Sequence, residues 1–284
     1  MPVTFNTINI KGVPVFYRSA GPATAPVVLL LHGFPSSSHM FRNLMPLLAK
    51  DYRVIAPDYP GSGLSGRLQA NEYTFDHLAD LIEAFIDALE LKRFSLYMQD
   101  FGGPVGFRLA SRRPQQVQAL LIQNANAYME GLGPGIHNIS QYKEKGDEQG
   151  FQKMVDHIMS LPGIKENYLY NASSEQHVLP DGYLLDHYFA LQPGAKEAQA
   201  ALLLNYKTNF PQYPVWHEYF RQHQPPTLIT WGIHDDIFIL PGARAYLTDL
   251  PKAALHEIDG GHFLLEEKYE EVAALILRFL SDNL

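Results

Sequence analysis

Short aliphatic runs alternate along the first 128 residues with longer stretches whose apolar positions recur every three or four residues. The runs at 27–31, 53–56, 94–98 and 119–123 are continuously apolar and bounded by turn formers or charges, as expected of parallel strands covered on both faces. They are predicted to lie side by side. Between the second and third, Phe75, Leu78, Ala79, Ile82, Phe85, Ile86 and Leu89 trace one helical face, with Thr74 placed to cap its start. Residues 3–19 alternate around Lys11-Gly12 and predict an antiparallel hairpin at the sheet edge.

After Tyr128 the alternation stops. Residues 129–224 are rich in Tyr, Gln, Asn and His with scattered Pro and Gly, and predict an inserted helical cap. Strand-like runs return at 227–231 and 254–258, followed by an amphipathic helix over about 267–284. The fold class is therefore α/β: one core built from residues 1–128 and 225–284, interrupted by a cap over 129–224.

Composition narrows the chemistry. Twenty-two basic against 30 acidic residues give a net charge of −8, with no basic run longer than Arg112-Arg113, so a nucleic-acid partner is not expected. The absence of cysteine removes disulfides, thiolate nucleophiles and Cys-ligated metals, and no spacing of His and carboxylate suggests a metal site or calls for a cofactor. The opening Met1-Pro2-Val3-Thr4-Phe5-Asn6 is not a basic segment followed by an apolar one, and no apolar run approaches a membrane span. The expectation is a soluble cytoplasmic protein, without a membrane partner, whose partner is a small-molecule substrate.

Gln99-Asp100-Phe101-Gly102-Gly103-Pro104 follows a predicted strand and opens a helical stretch. A sharp turn here would lift Asp100 out of the sheet, the glycines permitting close passage of the backbone and Pro104 suiting the first helical turn. This is the geometry of a nucleophile elbow with Asp where Ser is usual; the plainer alternative is that Asp100 only caps the helix. His32-Gly33-Phe34-Pro35 follows a second strand, Trp231-Gly232-Ile233-His234-Asp235-Asp236 a third, and Gly260-Gly261-His262-Phe263 a fourth. Residues just beyond the carboxyl ends of neighbouring parallel strands converge on one crevice, so a carboxylate, an acid and an imidazole in this chain order can meet.

With these motifs and Asp58-Tyr59-Pro60-Gly61-Ser62-Gly63-Leu64-Ser65, the chain resembles α/β-hydrolase-fold enzymes of the branch with an aspartate nucleophile, which contains epoxide hydrolases and haloalkane dehalogenases. The resemblance spans nearly the whole sequence. It implies a mostly parallel central sheet with flanking helices and an inserted helical cap, Asp100 as nucleophile, His262 as base and Asp235 as its orienting acid. It further implies that the N–H groups of Phe34 and Phe101 form the oxyanion hole, and that no cofactor takes part.

Carboxylate attack on an acyl group would give an anhydride, so an Asp nucleophile suits saturated carbon, where it forms an alkyl ester that water cleaves. A serine esterase would need Ser36, Ser37 or Ser38, none of which has elbow context. Dehalogenases of this branch commonly place Trp after the nucleophile; here the residue is Phe101, a departure from the epoxide hydrolase pattern as well. Of the two tryptophans, Trp231 reads as the end of a core strand and leaves only Trp216 for a halide. The segment around Tyr206 resembles that in which epoxide hydrolases carry an activating tyrosine, with Tyr142 a second candidate and Asn124 placed to bring an amide to the leaving group. The expected activity is cofactor-independent epoxide hydrolysis to a diol. Haloalkane or haloacid dehalogenation comes second, and a catalytically silent ligand-binding member is the reading from another class.

Overall fold

The structure, a computed structural model, describes residues 2–284, with the side chains of residues 137, 138, 140 and 143 outside the description. In chain order the elements are β1 (Thr4–Ile10), β2 (Val13–Ala20), β3 (Val27–Leu31), α1 (Leu44–Leu48), β4 (Arg53–Pro57), α2 (Phe75–Ala88), β5 (Phe94–Gln99), α3 (Gly102–Arg112) and β6 (Val117–Gln123). Six helices follow: α4 (Pro134–Glu144), α5 (Glu148–Ile158), α6 (Leu161–Leu169), α7 (Pro180–Ala190), α8 (Ala195–Asn205) and α9 (Tyr213–His223). The chain then returns through β7 (Thr227–Gly232), α10 (Leu240–Asp249), β8 (Ala254–Ile258), α11 (Leu264–Glu267) and α12 (Tyr269–Asn283).

The eight strands form one sheet in the order β1-β2-β4-β3-β5-β6-β7-β8. β1 and β2 make the expected edge hairpin, turning through Lys11 and Gly12, both at positive φ, and β2 runs antiparallel to β4; every later pairing is parallel. The four apolar runs of the first half are neighbours, as the sequence predicted. Their continuous apolarity has a direct cause: Leu29 and Leu31 face Phe85 and Phe107 on one side of the sheet, while Val28 and Leu30 face Leu44, Leu48 and Ile276 on the other. Helix α2 starts where its cap requires, with the Thr74 hydroxyl accepting from the His77 N–H at 3.1 Å. Among the described residues no helix is long and apolar enough to cross a membrane.

Helices α4–α9 lie between β6 and β7 in the chain and join the core through ionic and packing contacts. Arg42 holds both oxygens of the buried Glu266 in α11 at 2.9 and 2.7 Å, and its Nε meets Asp181 of α7 at 2.6 Å. Nearby, Asp186 of α7 accepts the Tyr168 hydroxyl of α6. Asp186 is buried with one oxygen unpartnered, and burial pushes its pKa up to about 7.

Candidate active site

The site grows from the end of β5. Asp100 follows the strand at φ +48, in the left-handed region, a conformation non-glycine residues adopt only when their surroundings hold it. Its N–H bonds the Asn124 carbonyl at 3.2 Å, its own carbonyl accepts from Gly103 at 2.9 Å, and the chain runs straight into α3. A side chain at Gly102 would lie 2.2 Å from the Leu31 carbonyl oxygen, so only glycine lets the turn pass this close to β3. The carboxylate is thereby lifted above the sheet.

From the end of β3, the Phe34 N–H donates to Asp100 Oδ1 at 2.6 Å, and the Phe101 N–H is directed at the same carboxylate. Asp100 Oδ2 is left facing His262 Nε2 at 3.9 Å. Beyond β8, the His262 ring places Nδ1 2.7 Å from Asp235 Oδ2. Asp235 is itself fixed: its Oδ1 accepts from the N–H groups of Ile237 at 2.8 Å and Phe238 at 3.1 Å, its Oδ2 from the Asn124 amide at 2.8 Å. The sequence-derived trio of Asp100, Asp235 and His262 thus meets in one buried cluster at the carboxyl ends of the strands.

Burial raises the Asp100 pKa against the opposing pull of the His262 charge and the Phe34 and Phe101 N–H groups. Burial opposes charge on His262 as well, but Asp235, Asp100 and Asp236 outweigh it and hold the imidazole above its ordinary pKa.

A cavity of about 540 Å³ opens over this cluster. Its floor is Asp100, Phe34, Phe101 and His262; its walls combine apolar side chains of α4, α5 and α8 with Tyr142 of α4, His157 of α5, Glu166 and Asn167 of α6, and Tyr170 beyond α6. Tyr206 stands behind that wall: it stacks on Phe101 at 6.1 Å and borders a small void shared with Phe101, Ile136, Ile139 and Leu203, all of which also line the main cavity. Its hydroxyl is buried without a hydrogen bond, and burial keeps it protonated by raising its pKa well above the usual tyrosine value.

Two sequence expectations are corrected. Asn124 does not line the cavity; its side chain is engaged by the acid instead, donating to Asp235 and accepting from the Gly232 N–H at 3.0 Å. Trp216 is also absent from the cavity lining, packed instead against Phe107 at 5.2 Å and Tyr213 at 5.3 Å beneath the Arg108 guanidinium. The other indole, Trp231, donates to the Phe238 carbonyl at 2.9 Å. Sequence reasoning also passed over Gln99. This buried amide at the end of an apolar strand places Nε2 3.0 Å from His262 Nε2, and a glutamine in the last position of such a strand was the available signal. Asp236, next to the acid in the same motif and given no role from the sequence, lines the cavity.

A family model described as the alpha/beta hydrolase fold matches residues 26–152. Across 285 aligned residues the chain is 35% identical to an uncharacterized hydrolase of Saccharomyces cerevisiae, with 98% of each covered. It is 29% identical over 283 residues to a haloalkane dehalogenase of Psychrobacter cryohalolentis, covering 95% of this chain and 88% of that one. Among solved structures, the epoxide hydrolase CorEH superposes with a TM-score of 0.81 at 20% identity, covering 99% of both chains, a likeness of fold.

Proposed function

Because the chain belongs to the α/β-hydrolase family, in the branch whose nucleophile is an aspartate, we propose that it hydrolyses an epoxide to a diol through an ester on Asp100. With Oδ1 held by the Phe34 N–H, Oδ2 is the oxygen free to attack. A C–O bond forms at one ring carbon as the ring C–O bond breaks, and the departing oxygen takes a proton from a tyrosine hydroxyl. Water then gives a proton to His262 and attacks the ester carbonyl. The negative charge that develops on Oδ1 falls on the N–H groups of Phe34 and Phe101, already in place. As the ester C–O bond breaks, the departing alkoxide takes the proton of the added hydroxide and leaves as the diol; the His262 proton returns to the tyrosinate, and Asp235 stabilises the imidazolium formed in between.

Esterification also prepares its own second step. The Asp100 charge is one of those raising the His262 pKa, and the ester no longer carries it. The imidazole is therefore more readily neutral, and able to accept a proton from water, once the intermediate exists.

The observation that carries the choice of epoxide is the placement of donors. Neither indole nor the Asn124 amide lines the cavity, whereas Tyr142 lines it and Tyr206 stands just behind Phe101. An epoxide oxygen needs a proton and a tyrosine can supply it; a halide needs weakly hydrated N–H donors. The dehalogenase relative favours the second reading, haloalkane hydrolysis, through the same ester. Assay against a panel of small epoxides and haloalkanes decides between them: diol formation is expected, and halide release without diol overturns the order.

A further inference from the structure

We propose that Asp236 is a specificity determinant which excludes substrates bearing a carboxylate beside the electrophilic carbon, so that the pocket takes uncharged molecules; this rests on the reading of the same site given above. Three carboxylates, Asp100, Asp235 and Asp236, surround the single imidazole of His262. Even with that imidazole protonated, the described residues at the reacting end of the cavity keep an excess of negative charge. Asp235 directs its charge at His262 and three hydrogen-bond donors, and Asp100 carries the reaction. Asp236 does neither. Its side chain is exposed into the cavity, where burial and the Asp235 charge raise its pKa and only His262 among side chains opposes them.

Among the described residues, the other side chains around the reacting carbon, Phe34, Phe101, Leu203 and Ile237, offer no positive charge. Elsewhere in the cavity lining, Glu166 faces His157 at 3.4 Å and adds a third acid to Asp100 and Asp236. A glycidate or a haloacetate would have to place its carboxylate in this field. At separations on the order of 6 Å in a half-buried site, one like-charge pair is worth about tenfold or more in transition-state affinity. The field around Asp100 thus favours a substrate that brings no anion with it.

The test uses near-isosteric pairs of opposite charge state, glycidate against glycidamide and chloroacetate against chloroacetamide, with the change of ratio between wild type and variant as the readout that cancels their intrinsic difference in reactivity. The wild type should favour the neutral member in kcat/KM by about 100-fold, a preference that narrows as salt rises. Asp236→Asn, isosteric and at an exposed position, should cut that preference by about tenfold while thermal melting confirms the fold. Its salt dependence should flatten. Equal use of both members by the wild type, or an unchanged ratio in Asp236→Asn, overturns the proposal. Activity confined to the chloride pair refutes epoxide hydrolysis but still reads the charge ratio. If neither pair is turned over, NMR-detected binding of propionamide against propionate to the same two proteins gives the ratio without chemistry, and equal binding overturns it.

Discussion

The sheet and the helical stretch from α4 to α9 hold their site residues in different ways. On the sheet, Asp100, Asp235 and His262 each sit within a few residues of a strand end, fixed by backbone hydrogen bonds and close backbone packing. On the helices, Tyr142 in the cavity and Tyr206 behind its wall are held only through side-chain packing, by way of Phe151, Phe75, Phe210 and Phe238. Reaction geometry set by backbone tolerates little change, whereas walls set by packing can be recut without losing the reaction. The contrast predicts a graded series of losses.

Loss of the base should be the most severe. His262→Gln should still form the ester and fail to release it, so intact-protein mass spectrometry after incubation with substrate should show one added alkyl group, mapped to the peptide containing Asp100. Adding Asp100→Asn should abolish the adduct. No adduct from a substrate the wild type turns over would sink covalent catalysis and leave Asp100 as a helix cap.

Asp235→Asn should follow, lowering kcat on the order of 10³–10⁴-fold through loss of tautomer control and of the charge that balances the imidazolium. Asp236→Asn should lower turnover of a neutral substrate far less. It should also move the acid limb of the hydrolysis step to lower pH, because it removes one of the charges that raise the His262 pKa. An exchange of the two effects would reassign the acid.

On the helices, Tyr206→Phe and Tyr142→Phe should each slow epoxide opening by up to about 10²-fold, less if the two share the proton, as read by single-turnover ester formation. Full activity in both single variants and in the double variant would remove tyrosine from the mechanism.

The smallest catalytic effect should come from Asp186→Asn, whose signature is stability. The folded-state pKa of about 7 lies above that of an unfolded aspartate, roughly 3.9. The folded protein therefore holds a proton that the unfolded chain loses, and this contribution is complete below about pH 4 and lost as pH rises through about 7. Asn cannot ionise, so the fall in melting temperature between pH 5 and pH 8 should shrink in the variant. An unchanged fall would place the titration elsewhere.

What was legible in the sequence follows the same division. Strand runs, the Thr74 cap, the edge hairpin and the elbow depend on local pattern and turn chemistry, and each stands where the pattern put it. Asn124 and Trp216 were misplaced for one reason: residue type and chain position do not tell which way a side chain points. Asn124, at φ +42, turns its amide under Asp235, and Trp216 turns inward onto Phe107. Gln99 went unread because its partner, His262, lies more than a hundred residues away, and the place of Asp236 in the cavity lining was not legible because helices from a distant part of the chain complete that cavity.

The bond between the Phe34 N–H and Asp100 Oδ1 also decides where isotopic oxygen travels. If Oδ2 attacks and water adds to the carboxyl carbon, the oxygen that leaves with the first product is the enzyme's own, and the solvent's oxygen stays behind in Asp100. A single turnover in ¹⁸O-water should release unlabelled product and a protein heavier by one isotopic oxygen. Label should appear in the product only from the second cycle onward, with the side chain serving as a relay through which every product oxygen drawn from solvent must first pass.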